Sequence, residues 1–101
     1  MNIGSSISVV VPVFNEEENI CPLAQEIGSA LKGICDYEII FVNDCSTDDT
    51  VVTLTKLKNE ISEIRVIHHS QRSGQSAGLL TGILAAKNNI IVTLDGDGQN
   101  D

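Results

Sequence analysis

The amino-acid sequence predicts an α/β protein built on a doubly wound, mostly parallel sheet in the order βαβαβαβ. Short β-branched apolar runs alternate with longer stretches whose apolar residues recur every three or four positions, the mark of strands alternating with helices. The first run, Ile7-Ser8-Val9-Val10-Val11-Pro12-Val13, is almost continuously apolar, as suits a strand covered by helices on both faces. The connections are a few residues long, with no repeat, linker or low-complexity stretch. With 101 residues and 42% hydrophobic content, the chain can bury one modest core.

Each element follows from local chemistry. Strand one is expected over residues 7–13, after a leader of residues 1–6. Pro22 restricts the first helix, because an interior proline lacks an N–H and collides with the preceding turn. The helix therefore starts near Asn19 as N-cap, with Pro22 in its first turn and Leu23, Ile27, Ala30, Leu31 and Ile34 as its apolar stripe. Tyr37 to Asn43 reads as strand two. Ser46-Thr47-Asp48-Asp49 resembles a capping box with aspartate in place of glutamate, opening a helix to about Ile61 that buries Val51, Leu54, Leu57 and Ile61. Ile64 to His69 is the third strand. Ser73 is the expected cap of a third helix, Gln75 to Lys87, where Gly78 and Gly82 allow close approach to the sheet. Ile90 to Leu94 is the fourth strand.

In a right-handed doubly wound sheet, ligands bind beyond the carboxyl ends of the strands. The polar residues of this chain collect there: Asn15, Glu16, Glu17 and Glu18 after strand one, Asp44 and Ser46 after strand two, Gln71 and Arg72 after strand three, and Asp95, Asp97 and Gln99 after strand four. Carboxylates spaced by glycines in Asp95-Gly96-Asp97-Gly98 are hard oxygen donors suited to a divalent cation. The stretch also resembles the start of a calcium loop, but Asn100 stands where that loop needs glycine. Plainer roles compete at several positions. Glu16 to Glu18 also complement the dipole of the first helix, and Asp48 and Asp49 serve the start of the second. His68 and His69 have no Cys or His at ligand spacing, so a surface or core-edge role is expected. Gly74, Gly78 and Gly82 form neither a dinucleotide fingerprint nor a phosphate loop.

Composition excludes other classes. Fourteen acidic against six basic residues give a net charge of -8, and no basic cluster is available for nucleic acid or anionic lipid. No apolar run approaches the roughly 20 residues of a membrane span. The start of the chain lacks a secretory signal, so the expected compartment is the cytoplasm. Cys21, Cys35 and Cys45, an odd number without metal-type spacing, read as small hydrophobes.

Three segments in order, Val9-Val10-Val11-Pro12-Val13-Phe14-Asn15-Glu16-Glu17, Glu38-Ile39-Ile40-Phe41-Val42-Asn43-Asp44-Cys45-Ser46-Thr47-Asp48 and Leu94-Asp95-Gly96-Asp97-Gly98-Gln99, resemble the start of a family 2 glycosyltransferase with the GT-A (Rossmann-like) fold. The nearest branch is that of dolichyl-phosphate mannosyltransferases and bacterial undecaprenyl-phosphate glycosyltransferases. The resemblance spans residues 7–101 and implies the nucleotide-sugar-binding half of such a domain, with the acceptor half, its general base and any membrane helices following it.

By that resemblance, Pro12, Phe14 and Glu16 line the nucleobase and ribose pocket, Asp44 contacts the base, and Arg72 lies near the diphosphate. Asp95 and Asp97 are the DxD pair, and Gln99 joins them around Mg²⁺ or Mn²⁺. Asp95 also touches the nucleotide. The implied reaction is inverting transfer from a UDP- or GDP-linked sugar to a polyprenyl phosphate or saccharide at the cytoplasmic face of a membrane, in cell-wall or lipopolysaccharide synthesis. In that reaction Asp95 and Asp97 act through the metal on the leaving diphosphate, a Lewis-acid role that reconciles an acidic rim with an anionic ligand. The 101-residue chain alone is expected to be inactive, and self-association through the fourth strand's edge is expected. Two other readings stay open. One is a nucleotidyltransferase, although Phe14-Asn15-Glu16-Glu17-Glu18 replaces the basic phosphate loop such enzymes carry. The other is a regulatory module binding metal and nucleotide without sugar transfer.

Overall fold

The computed structural model describes residues 5–96, so Asp97 and Gln99 lie outside the described residues. The chain alternates as β1 (Ser6–Val13), α1 (Ile20–Leu31), β2 (Asp36–Asn43), α2 (Thr50–Glu60), β3 (Ile64–His68), α3 (Gln75–Ala85) and β4 (Ile90–Thr93). The strands form one parallel sheet in the order β3-β2-β1-β4. The expected doubly wound architecture is therefore the observed one, with element ends differing by up to three residues.

Alternate residues of the central strands feed two cores. On one face Val9, Val11, Val13, Ile39 and Phe41 pack with Ile20, Leu23, Ala24 and Ile27 of α1 and with Leu54 and Leu57 of α2. On the other, Val10, Ile40 and Val42 meet Leu79 of α3, together with Ala86, Ile67 and Ile91. Both faces of β1 are thus covered, which explains its unbroken apolarity. Gly78 and Gly82 bring α3 against β1: a Cβ at Gly78 would lie 2.9 Å from Pro12 Cβ, and one at Gly82 would overlap the Val10 side chain.

Pro12 is buried in β1. The ladder with β4 ends where Leu94 N–H donates to Val10 O (3.0 Å). Two residues further along the same side, a residue without an N–H leaves no ladder bond unmade.

The structure corrects several local expectations. The buried stripe of α1 is Ile20, Leu23, Ala24 and Ile27, while Ala30 and Ile34 are exposed. Asn19 is the N-cap of α1, yet its side chain makes no cap bond and Nδ2 donates to Glu16 Oε2 (2.8 Å) instead. No capping box opens α2. Ser46 is drawn back to the last residue of β2, its N–H (3.1 Å) and Oγ–H (2.5 Å) both donating to Asn43 Oδ1. Asp48 Oδ1 accepts Thr50 N–H (2.9 Å) in its stead. That bond, made one residue before the Asp49 N-cap, is among the causes that hold the Asp48 carboxyl below its ordinary range despite the opposing effect of burial. Thr50 is buried where Val51 was expected, and Val51 is exposed. Ser73 does not cap α3; its hydroxyl donates to Gln71 O, and Gly74 is the N-cap residue.

A buried polar network fixes the end of the sheet remote from the pocket described below. Glu38 accepts from Ser8 Oγ (2.6 Å), Arg65 Nη1 (2.8 Å) and Lys87 N–H (2.7 Å), and Arg65 also reaches Ala85 O (2.9 Å). Burial opposes the charge on Glu38, but these donors outweigh it and hold the carboxyl below its ordinary range. The α3–β4 connection is thereby pinned, which sets the position of β4 and of the residues leaving it. β4 is an edge strand, and Ile90 and Val92, with Leu80 and Leu84 of α3, are exposed.

Candidate functional site

A pocket of about 270 Å³ lies at the carboxyl end of the sheet, lined by Pro12, Val13, Phe14, Glu16, Asp44, Arg72, Gln75, Asp95 and Gly96. All four strand exits contribute to it. The chain winds from β1 outward to β3 and then returns to place β4 on the other side of β1. The strand order therefore reverses between β1 and β4, the point at which a doubly wound sheet opens a crevice beyond its carboxyl ends. Gly96 lets the β4 exit close on β1, because a Cβ there would lie 2.5 Å from Val13 Cγ1 and 2.8 Å from Pro12 O.

Asp44 follows β2 and is 4% exposed. Its Oδ1 accepts His69 Nδ1–H (2.9 Å) and Ser73 N–H (2.8 Å), and its Oδ2 accepts Gly74 N–H (2.8 Å), with Arg72 Nε at 3.4 Å. Burial would raise its pKa. The hydrogen bonds from His69, Ser73 and Gly74, with the charge of His69, prevail and lower it from 3.8 to about 2. An ionised carboxylate only accepts, so His69 Nδ1 carries the proton, and Nε2 faces Thr81 Oγ1 at 2.8 Å. Three hydrogen-bond donors and the Arg72 ion pair surround this carboxylate. The long, exposed Arg72 contact is the one most readily given up, since its side chain is 61% exposed.

The opposite wall is aromatic. The Arg72 guanidinium carbon stands 3.4 Å from the Phe14 ring centroid, a cation–π stack. The loop carrying Phe14 is held by Asn15, which takes a positive φ of 51°. Its Oδ1 accepts Thr47 N–H (2.8 Å), and its own N–H donates to Ser46 Oγ (3.0 Å). Glu16 N–H donates to Thr50 Oγ1 (3.0 Å). Asparagine tolerates the left-handed region better than most residues, and its side chain stitches the loops after β1 and β2 into one wall.

Asp95 leaves β4 at the mouth of the pocket, where Gln75 Nε2 donates to its Oδ1 (2.6 Å). Among the described residues no group of three or more His, Cys, Asp or Glu could hold a metal ion. Asp95 is the one described member of the expected metal set, a hard oxygen donor of the type that Mg²⁺ and Mn²⁺ prefer.

The structure therefore brings Pro12, Phe14, Glu16, Asp44, Arg72 and Asp95 into one pocket. Glu17 and Glu18 are exposed outside it. Sequence reasoning missed His69 and Gln75. The signal for His69 was the pairing of Asn43 with His68, which sets residues 44 and 69 side by side, and that register is not written in either strand alone. For Gln75 the signal was its place at the first position of α3, opposite a strand exit that only the crossover brings near.

An open parallel sheet with a polar crevice where its winding reverses defines a Rossmann-like α/β protein whose ligand site is that crevice. Residues 8–101 match the model of glycosyl transferase family 2, and the chain belongs to that family. It is 38% identical over 97 residues to the dodecaprenyl-phosphate galacturonate synthase of Rhizobium johnstonii, covering 94% of this chain and 29% of that protein. It is 35% identical over 96 residues to the undecaprenyl-phosphate 4-deoxy-4-formamido-L-arabinose transferase of Yersinia enterocolitica, covering 93% and 29% respectively. Its fold matches the glucosyl-3-phosphoglycerate synthase of Mycobacterium tuberculosis, solved with Mn²⁺, UDP and glucosyl-3-phosphoglycerate. That match has a TM-score of 0.72 and 31% identity, covering 92% of this chain and 34% of the other. Structural neighbours of this kind carry the GT-A fold, and the four-stranded sheet here is its α/β, parallel part. The chain spans less than a third of the length of these two curated relatives.

Proposed function

We propose that this chain forms the nucleotide-binding part of a glycosyltransferase that moves a sugar from a nucleoside diphosphate to a polyprenyl phosphate. The carrying observation is the single pocket into which Phe14, Arg72, Asp44 and Asp95 converge from four strand exits. The polyprenyl-phosphate acceptor is supported by the names of the two relatives, a dodecaprenyl-phosphate synthase and an undecaprenyl-phosphate transferase. The nucleotide is supported by the UDP bound to the structural neighbour.

The base stacks on Phe14, with Pro12 and Val13 as the apolar floor. Arg72 turns from Asp44 toward the anionic diphosphate, and the Oδ2 site it vacates accepts an N–H of the base. Glu16 faces the ribose. Asp95, together with Asp97 and Gln99, would hold Mg²⁺ or Mn²⁺, which supplies Lewis-acid stabilisation of the charge growing on the leaving diphosphate. Gln75 restrains the Asp95 carboxylate through Nε2. A phosphate acceptor is already ionised and needs little help from a base, so direct inverting displacement is the chemistry proposed. No helix among the described residues is long and apolar enough to cross a membrane. Work at the cytoplasmic face, and pairing of two copies across the β4 edge, remain parts of the same proposal.

Calorimetry with UDP and with GDP, each with and without Mn²⁺, tests the reading. Mn²⁺-dependent binding of one of them, abolished by Asp97→Asn with the circular dichroism unchanged, is the expected result. Metal binding indifferent to nucleotide refutes it.

A further inference from the structure

We infer that His69 is a positioning residue of this pocket, holding the Asp44 carboxylate in the orientation that organises the turn carrying Arg72. The inference deepens the proposed nucleotide-binding reading and rests on it. His69 is the first residue past β3, and its side chain is 15% exposed. Its backbone N–H donates to Asn43 O (2.9 Å), so the residue is registered against the end of β2. From that position the ring spans two elements. Nδ1–H holds Asp44 Oδ1 at 2.9 Å and Nε2 meets Thr81 Oγ1 on α3 at 2.8 Å.

The imidazole thus anchors the carboxylate to the body of α3, while the same carboxylate takes the N–H groups of Ser73 and Gly74 just before that helix. Thr81, His69, Asp44 and the 73–74 backbone form one chain of hydrogen bonds from the second turn of α3 back to its start. Arg72 is the next residue along, stacked on Phe14 and tethered to Asp44 Oδ2. Without the Nδ1–H donor, Oδ1 loses one of its two partners and the carboxylate can turn. Arg72 is then the mobile cation that follows it, away from the anionic end of a nucleotide. The donor to the carboxylate is the part the inference depends on, and the Nε2 contact to Thr81 steadies the ring that carries it.

The test uses the 101-residue protein with His69→Phe, which keeps the ring and removes both nitrogens, and His69→Asn, whose amide N–H can stand where Nδ1–H stands. Nucleotide affinity with Mn²⁺ is expected to fall about tenfold in His69→Phe, the scale of one charge-assisted hydrogen bond, and to stay within about threefold in His69→Asn. Amide exchange supplies a readout independent of nucleotide: protection of the Ser73 and Gly74 N–H groups is lost in His69→Phe and kept in His69→Asn. Equal behaviour of the two folded variants in exchange overturns the inference, as does wild-type affinity in His69→Phe. If the unmodified protein binds neither UDP nor GDP, the nucleotide reading falls, and the exchange result still decides whether His69 positions Asp44.

Discussion

Replacing Asp44 by asparagine keeps the shape of the side chain and removes its charge, and the structure says what that costs. The carboxylate is 4% exposed and accepts two backbone N–H groups and an imidazole N–H, with Arg72 alongside. An amide offers one accepting oxygen, so its NH₂ must face either the His69 and Ser73 donors or the Gly74 donor. Leaving one buried N–H unpaired costs about 1–3 kcal/mol. The acid–base behaviour of the carboxylate expresses the same contacts in another form. A folded-state pKa of about 2 against 3.8 corresponds, at about 1.4 kcal/mol per decade of proton affinity, to about 2 kcal/mol of stability from the ionised form.

The sign follows from the depression: this stability is fully present above pH 3.8 and is lost as pH falls toward about 2. Asp44→Asn should therefore lower the unfolding free energy by about 2–4 kcal/mol at neutral pH, measured by urea denaturation with linear extrapolation. The difference between the two proteins should narrow as pH drops from 4 to 2, because the wild type gives up the same contribution. A neutral-pH difference under about 0.5 kcal/mol, the range of an ordinary surface substitution, would refute the reasoning. So would a difference that does not change across the acid window.

Two further substitutions test how the walls of the pocket are set. Gly82→Ala puts a methyl into the Val10 side chain; overpacking of about 1–3 kcal/mol should exceed the gain of about 1 kcal/mol in helix propensity. A lower denaturation midpoint is the expected result, and an unchanged or raised one would show that α3 does not rest on β1 there. Cys45 holds a φ of 62°, a left-handed conformation that disfavours a side chain, and its thiol makes a long contact to Ser70 O (3.9 Å). Cys45→Gly should stabilise the fold by about 0.5–1 kcal/mol by relieving that strain, read as a higher midpoint with the same denaturant slope.

Strands were legible where their chemistry is local. Val9 to Val13 and Ile39 to Val42 are β-branched or aromatic runs that a covered parallel strand demands, and they form the two central strands. The Pro22 restriction placed α1 correctly because a steric rule on the backbone does not depend on partners. Capping failed for a different reason. Ser46 has a choice between the start of α2 and the buried Asn43 amide, and the strand end prevails because a buried polar group must be paired. Ala30 and Ile34 satisfied the helical period but lie beyond the edge of what α1 covers.

The order of apolar and polar segments determined the alternation of strands and helices, and with it the gathering of Phe14, Glu16, Asp44, Arg72 and Asp95 at one end of the sheet, because parallel strands carry all their exits to the same end. The sequence alone did not show that Asp44 is already occupied by the turn before α3, that His69 braces it through Thr81, or that Gln75 holds Asp95. Those contacts join residues up to 30 positions apart. They depend on strand register and on how closely Gly78 and Gly82 let a helix settle on its sheet, distances that packing of the whole chain decides and no local pattern encodes.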